Sequence, residues 1–100
     1  MEEQILYKGF YVVKKITIKP GCGTLLQYHK KRVKTIVVQK GTLCIETEEK
    51  KEEIKSGQFV HIKKEVKHKI YNETNKDLIL IESSTNDLED IVEMKSDKKE

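Results

Sequence analysis

Apolar residues in this chain fall in short clusters rather than at helical spacing. FYVV (10–13), TIVV (35–38) and LILI (78–81) are each bounded by charged or turn residues, the rhythm of strands that bury one face. The pattern predicts strands over 10–19 and 24–30, joined by the KPGCG turn around Pro20. A third runs from 33 to 39, and Lys40-Gly41 reads as a two-residue hairpin into 42–48. The charged run 48–53 is then a solvated hairpin tip, and segments 54–58, 59–63, 68–74 and 77–84 supply further strands. Residues 86–95 fit two alternatives. One is a short helix capped by Asn86 or Asp87, with Leu88, Ile91, Val92 and Lys95 on one face; the other is a last strand over 90–94. A strand about every 8 to 12 residues is the pattern of an all-β sandwich, jelly roll or small barrel.

Composition narrows this picture. The 100 residues suit one domain, here residues 1–95, with folded structure expected from about Ile5 to Met94 and a disordered polar tail over 96–100. The charged fraction of 37% and mean hydropathy of -0.65 approach those of a disordered chain, but the dense apolar clusters argue for a fold. A net charge of +3 is too small for the whole-chain field to imply a nucleic acid or a membrane as partner. No apolar run approaches the roughly 20 residues that span a bilayer, and the N-terminus lacks a signal-like apolar stretch, so a cytoplasmic protein is expected. Cys22 and Cys44 are then expected to be reduced thiols.

Local charge is more telling. Lys30, Lys31, Arg32 and Lys34 crowd the stretch QYHKKRVKTIVVQKGT. An import signal would be exposed and unstructured, whereas this run leads straight into a β-branched strand. It also lacks the interleaved aromatics of a nucleic-acid surface. The remaining readings are a solvated strand edge or the wall of a binding site.

The order of turns and strands resembles the cupin superfamily, whose motifs are G(X)5HXH(X)3,4E(X)6G and G(X)5PXG(X)2H(X)3N. Gly23, His29 and Gly41 keep the frame of the first, and Gly57, His68 and Asn72 that of the second. Within cupins the chain is similar to the C-terminal domain of type II mannose-6-phosphate isomerases joined to GDP-mannose pyrophosphorylase, and to its stand-alone relatives. That group carries a phrase like LQYHHHRAEHWVVVSGT, matched here at Leu26, Gln27, Tyr28, His29, Arg32, Val37, Val38, Gly41 and Thr42. GQFVHIKKEVKH and LILIESSTNDLEDIVE echo two later phrases of the group. The resemblance implies a single-domain double-stranded β-helix, a pocket inside the barrel and a homodimer. Strand alternation agrees, since Leu25, Gln27 and His29 share one face and His68, Ile70 and Asn72 another.

The departures from the family pattern bear on function. Cupins that bind metal use both histidines of HXH, the glutamate and the later histidine. Here His29 and His68 remain, but Lys31 and Lys34 replace the other two. Each unit of like charge about 4 Å from a cation costs roughly 4 kcal/mol at an effective dielectric near 20. No metal cofactor is therefore expected, and a divalent transition metal at His29 and His68 is the weaker alternative. With Lys34 in phase with Ile36 and Val38, and Lys30 and Arg32 alternating away from Lys31, the pocket would hold an anion. Gln27, His29, Lys31, Lys34, His68 and Asn72 form the expected ligand-binding set, with the histidines and lysines as donors. Lys63 and Glu65 stand where the second motif has proline and glycine, which predicts a looser loop. His61, out of phase with Val60 and Ile62, reads as a surface residue, and Tyr28 as packing.

Two functions follow. The first is a module that binds a small anionic or sugar-phosphate ligand without metal and without turnover. The alternative is an aldose–ketose isomerase resembling mannose-6-phosphate isomerase, with His29 or His68 as base and Arg32 or Lys31 as phosphate anchor.

Overall fold

The computed structural model describes residues 1–87 and 90–94. Ten strands are assigned among them: β1 (Glu2–Lys8), β2 (Tyr11–Ile18), β3 (Gln27–Tyr28), β4 (Lys34–Lys40), β5 (Thr42–Thr47), β6 (Lys51–Lys55), β7 (Phe59–Ile62), β8 (His68–Tyr71), β9 (Leu78–Thr85) and β10 (Val92–Glu93). They form two five-stranded antiparallel sheets, ordered β1-β2-β9-β4-β7 and β10-β3-β8-β5-β6. The chain crosses repeatedly between the sheets, which gives the double-stranded β-helix. No helix among the described residues is long and apolar enough to cross a membrane.

Period-2 alternation builds the core. Ile16 and Ile18 of β2, Ile36 and Val38 of β4, and Leu78 and Leu80 of β9 face Leu43 and Ile45 of β5 and Ile70 of β8 across the interior. Continued along β4 and β9, the same inward positions become Lys34, Glu82 and Ser84, all buried. The core is therefore apolar at one end and polar at the other.

Several expected elements are corrected. Lys40-Gly41 is not a hairpin: β4 and β5 lie in different sheets, and Gly41 is the switch point. Its φ of 98° favours glycine, and a Cβ there would sit 3.0 Å from the Asp77 carbonyl oxygen. The charged tip is shorter than 48–53, because the Thr47 N–H closes a turn on the Lys50 carbonyl and β6 begins at Lys51. Of the two alternatives for 86–95, the described residues give the last strand, as the short β10 within 90–94; Leu88 and Lys95, offered for the helical face, lie outside the described residues, as does the 96–100 tail. Strand β1 begins before the expected start at Ile5. Its seven residues are all exposed, so no alternation marks it in the sequence.

Candidate functional site

Among the described residues eight buried ones are polar or charged: Gln27, His29, Arg32, Lys34, His68, Asn72, Glu82 and Ser84. All but Asn72 gather at the polar end of the barrel. Gln27 and His68 pair across β3 and β8, and Lys34 lies opposite Ser84 across β4 and β9. The rings of His29 and His68 meet inside with centroids 5.7 Å apart. The two sequence motifs thus converge, as their alternation requires.

The protonation of both rings follows from their partners. His29 Nδ1 lies 2.6 Å from the Asp90 carbonyl oxygen, which can only accept, so Nδ1 carries the proton and Nε2 keeps its lone pair. The Arg32 guanidinium donates to that Nε2 through Nη2 at 3.1 Å. Burial pushes His29 below its usual pKa, and Arg32 and Lys34 push the same way against the Asp90 carbonyl. His68 Nδ1 likewise donates to the Val66 carbonyl at 2.9 Å, leaving the Nε2 lone pair buried without a partner. Its pKa is pushed down to about 4, chiefly by burial. At neutral pH both rings are uncharged and present acceptors toward the interior, not the donors expected from sequence.

Arg32 is only 5% exposed, which corrects the alternation argument. Residues 29–33 leave the strand in a bend. The Asp90 carboxylate binds that bend, accepting from the N–H groups of Lys30 (3.1 Å), Lys31 (2.5 Å) and Arg32 (2.9 Å). Period-2 facing therefore stops at Tyr28 and restarts at Lys34. Arg32 turns inward and Lys31 is exposed, so Lys31 does not belong to the site.

Lys34 does point inward, but it is paired with Glu82 at 3.4 Å, both side chains being 4% exposed. Burial lowers the Lys34 pKa while Glu82 opposes the shift. Gln27, Arg32, Lys34 and Glu82 line a cavity of about 420 Å³. At its mouth Lys14 pairs with Glu3 at 3.2 Å, and the exposed Glu93 stands on the rim. Gln27 Oε1, Arg32 Nε, His68 Nε2 and Ser84 Oγ are buried without partners among the described residues. His68 lines a separate, wider hollow of about 680 Å³ between the 47–50 turn and the 63–67 loop.

Asn72 is a further correction. Its Nδ2 donates to the Ile18 and Lys76 carbonyls and its Oδ1 accepts from the Thr74 N–H and hydroxyl, so no capacity remains for a ligand. It ties the turn before β9 at the apolar end. His61 is exposed as expected, hydrogen-bonded to Thr35 Oγ1 at 2.8 Å. Glu65 adopts φ 67°, the conformation that the motif's glycine would take without strain. Its N–H binds the His29 carbonyl at 2.6 Å, so the loop keeps the bend that the missing glycine suggested it would lose. Sequence reasoning overlooked Glu82, Ser84 and Asp90. Glu82 and Ser84 were findable, since both continue the inward phase of Leu78 and Leu80; Asp90 falls in the family-like stretch LILIESSTNDLEDIVE, but no periodicity there points to its role.

The residues do not fit the metal set of cupins. Guanidinium Nη2 occupies the lone pair of His29 Nε2, and the glutamate position is the ion-paired Lys34. Among the described residues no third histidine, cysteine or carboxylate joins His29 and His68. The one such grouping, Cys44, Glu53 and Glu73, involves two exposed carboxylates.

The sequence matches the mannose-6-phosphate isomerase C-terminal family over residues 2–96. The chain belongs to that family. No curated protein matches it. Among solved structures, a cupin-like protein from Thermotoga maritima superposes with a TM-score of 0.82 at 20% identity, over 92% of this chain and 74% of that one. A protein with a double-stranded β-helix domain from Klebsiella pneumoniae superposes at 0.81 and 15% identity, over 92% and 82%. A sugar phosphate isomerase of the cupin superfamily from Silicibacter pomeroyi superposes at 0.72 and 18% identity, covering 77% of this chain and 51% of its own. This mannose-6-phosphate isomerase C-terminal family member thus has the cupin fold and spans about half the length of that isomerase.

Proposed function

We propose that the chain binds a small polyhydroxylated anion of the sugar phosphate class inside the barrel, without a metal and without turnover. The observation that carries this reading is the state of Arg32. Its guanidinium is buried, forms no ion pair among the described residues, and has an Nε–H with no partner. Leaving a charge buried and uncompensated is costly, and a phosphate or carboxylate entering the 420 Å³ cavity would offset it with a bidentate contact. In the same cavity Gln27 Oε1 accepts a hydrogen bond, which suits a sugar hydroxyl. Lys34 and Glu82 neutralise each other and leave the positive charge at Arg32. The family match favours mannose 6-phosphate as the probe.

The test is a thermal-shift panel with mannose 6-phosphate, mannose and inorganic phosphate, run in chelator, beside an assay for conversion of mannose 6-phosphate to fructose 6-phosphate. Stabilisation by the sugar phosphate that Arg32→Gln abolishes, with no product formed, is the expected result. Equal responses to mannose and mannose 6-phosphate, or a strict need for added metal, would refute it.

One observation favours isomerisation as a second reading. His68 Nε2 holds an unengaged lone pair inside the barrel, which could move a proton between adjacent carbons of an open-chain sugar. Against it, a base whose pKa is about 4 has little driving force at neutral pH. His29, also a candidate base, has both ring nitrogens engaged and orients Arg32 instead.

A further inference from the structure

We infer that Asp90 is the positioning residue of this site, holding Arg32 and His29 in the geometry that receives the ligand anion; this rests on the binding reading above. Asp90 lies at least 58 residues away in sequence from everything it holds, yet it makes four contacts to four consecutive residues. Its carboxylate accepts from the backbone N–H groups of Lys30, Lys31 and Arg32, and its own carbonyl accepts from His29 Nδ1.

Three successive N–H groups converging on one carboxylate form a nest. Here the nest is filled from within the chain, and filling it fixes the bend that takes the backbone out of β3 and turns Arg32 inward. The carbonyl contact sets the second half of the geometry. With Nδ1 protonated, His29 offers Nε2 to the Arg32 guanidinium and orients its fork; with Nε2 protonated, donor would face donor. A single residue thus settles the backbone that carries the anion-binding group and the tautomer of the ring that aims it. The Met94 N–H bond to the Leu26 carbonyl and the pairing of Val92 with Tyr28 hold the Asp90 segment against β3.

His68 supplies an internal control, because its Nδ1 partner is the Val66 carbonyl and owes nothing to Asp90. The experiment is long-range proton–nitrogen NMR of the imidazoles, with calorimetric titration of mannose 6-phosphate, on the wild type, Asp90→Asn and Asp90→Ala. In both variants the residue-90 carbonyl remains and His29 keeps its Nδ1 proton, but its Nε2 resonance should shift as the loosened bend takes Arg32 away from it, while His68 keeps its signature and affinity falls at least tenfold. Asp90→Asn, which preserves size and one acceptor, should show the smaller change. An unchanged His29 Nε2 resonance with affinity within twofold would overturn the inference. So would simultaneous loss of both histidine signatures in Asp90→Asn, since Asp90 would then hold the fold rather than the site. Should the wild type bind no mannose 6-phosphate, the proposed function fails, and the His29 signal alone decides the role of Asp90.

Discussion

His68 makes the stability of the barrel depend on pH. Its pKa is about 4 in the folded protein against 6.5 for an exposed histidine, so the unfolded chain takes up a proton that the folded chain refuses. Stability should therefore fall as pH drops from 6.5 toward 4, and the loss is complete below the folded value. At about 1.4 kcal/mol per pKa unit the loss is roughly 3 kcal/mol. His29, also lowered, contributes with the same sign. Asp90 acts at lower pH: burial raises its pKa, but the three backbone N–H bonds outweigh that and hold it below the ordinary value, so its contribution is lost only as pH falls through that lowered value. Urea unfolding of the wild type and His68→Leu at pH 7, 5.5 and 4 checks this. The variant should lose up to one proton's worth of slope, whereas parallel curves would place the pH dependence elsewhere.

At the scale of elements, Gly41 lets β4 leave one sheet and β5 enter the other. Gly41→Ala imposes a side chain on a φ of 98° and brings its Cβ to 3.0 Å from the Asp77 carbonyl oxygen and 3.2 Å from Leu78 Cα. A loss of about 1–3 kcal/mol is expected, measurable as a lowered Tm; an unchanged Tm would mean the switch tolerates a side chain. The same position shows where the sequence is legible and where it misleads. Alternation correctly identified β2, β4, β7, β8 and β9, because each buries every second residue against a common core. Lys40-Gly41 looked like a hairpin because turn chemistry is the same whether the next strand pairs with the last or crosses to another sheet. β1 was invisible for the opposite reason, since a strand exposed along its whole length carries no period. The basic stretch was half legible. Lys34 followed its strand inward, but Arg32 and Lys31 exchanged the roles that alternation gave them, because a carboxylate from residue 90 bends the chain between β3 and β4. Long-range capping of that kind leaves no periodicity to read: the family-like stretch holds Asp90 but does not tell which backbone it binds.

Taken whole, the molecule is a cupin barrel whose interior is apolar toward Asn72 and polar toward His29 and His68. The family's metal positions persist in the fold while their chemistry has changed. One ligand position carries a lysine matched by Glu82, another faces solvent as Lys31, and the lone pair of His29 is engaged by a guanidinium. The net effect is one buried positive charge without a counter-ion among the described residues, its own Nε unpartnered beside three other buried polar atoms without partners there. The central claim is that this charge receives an anionic sugar in the absence of metal. Its most direct test is calorimetric titration of mannose 6-phosphate into chelator-treated protein, wild type and Arg32→Gln. Saturable binding to the wild type, weakened at least tenfold in the variant, is the expected result; binding that appears only when a divalent metal is restored, or that Arg32→Gln leaves unchanged, would contradict it.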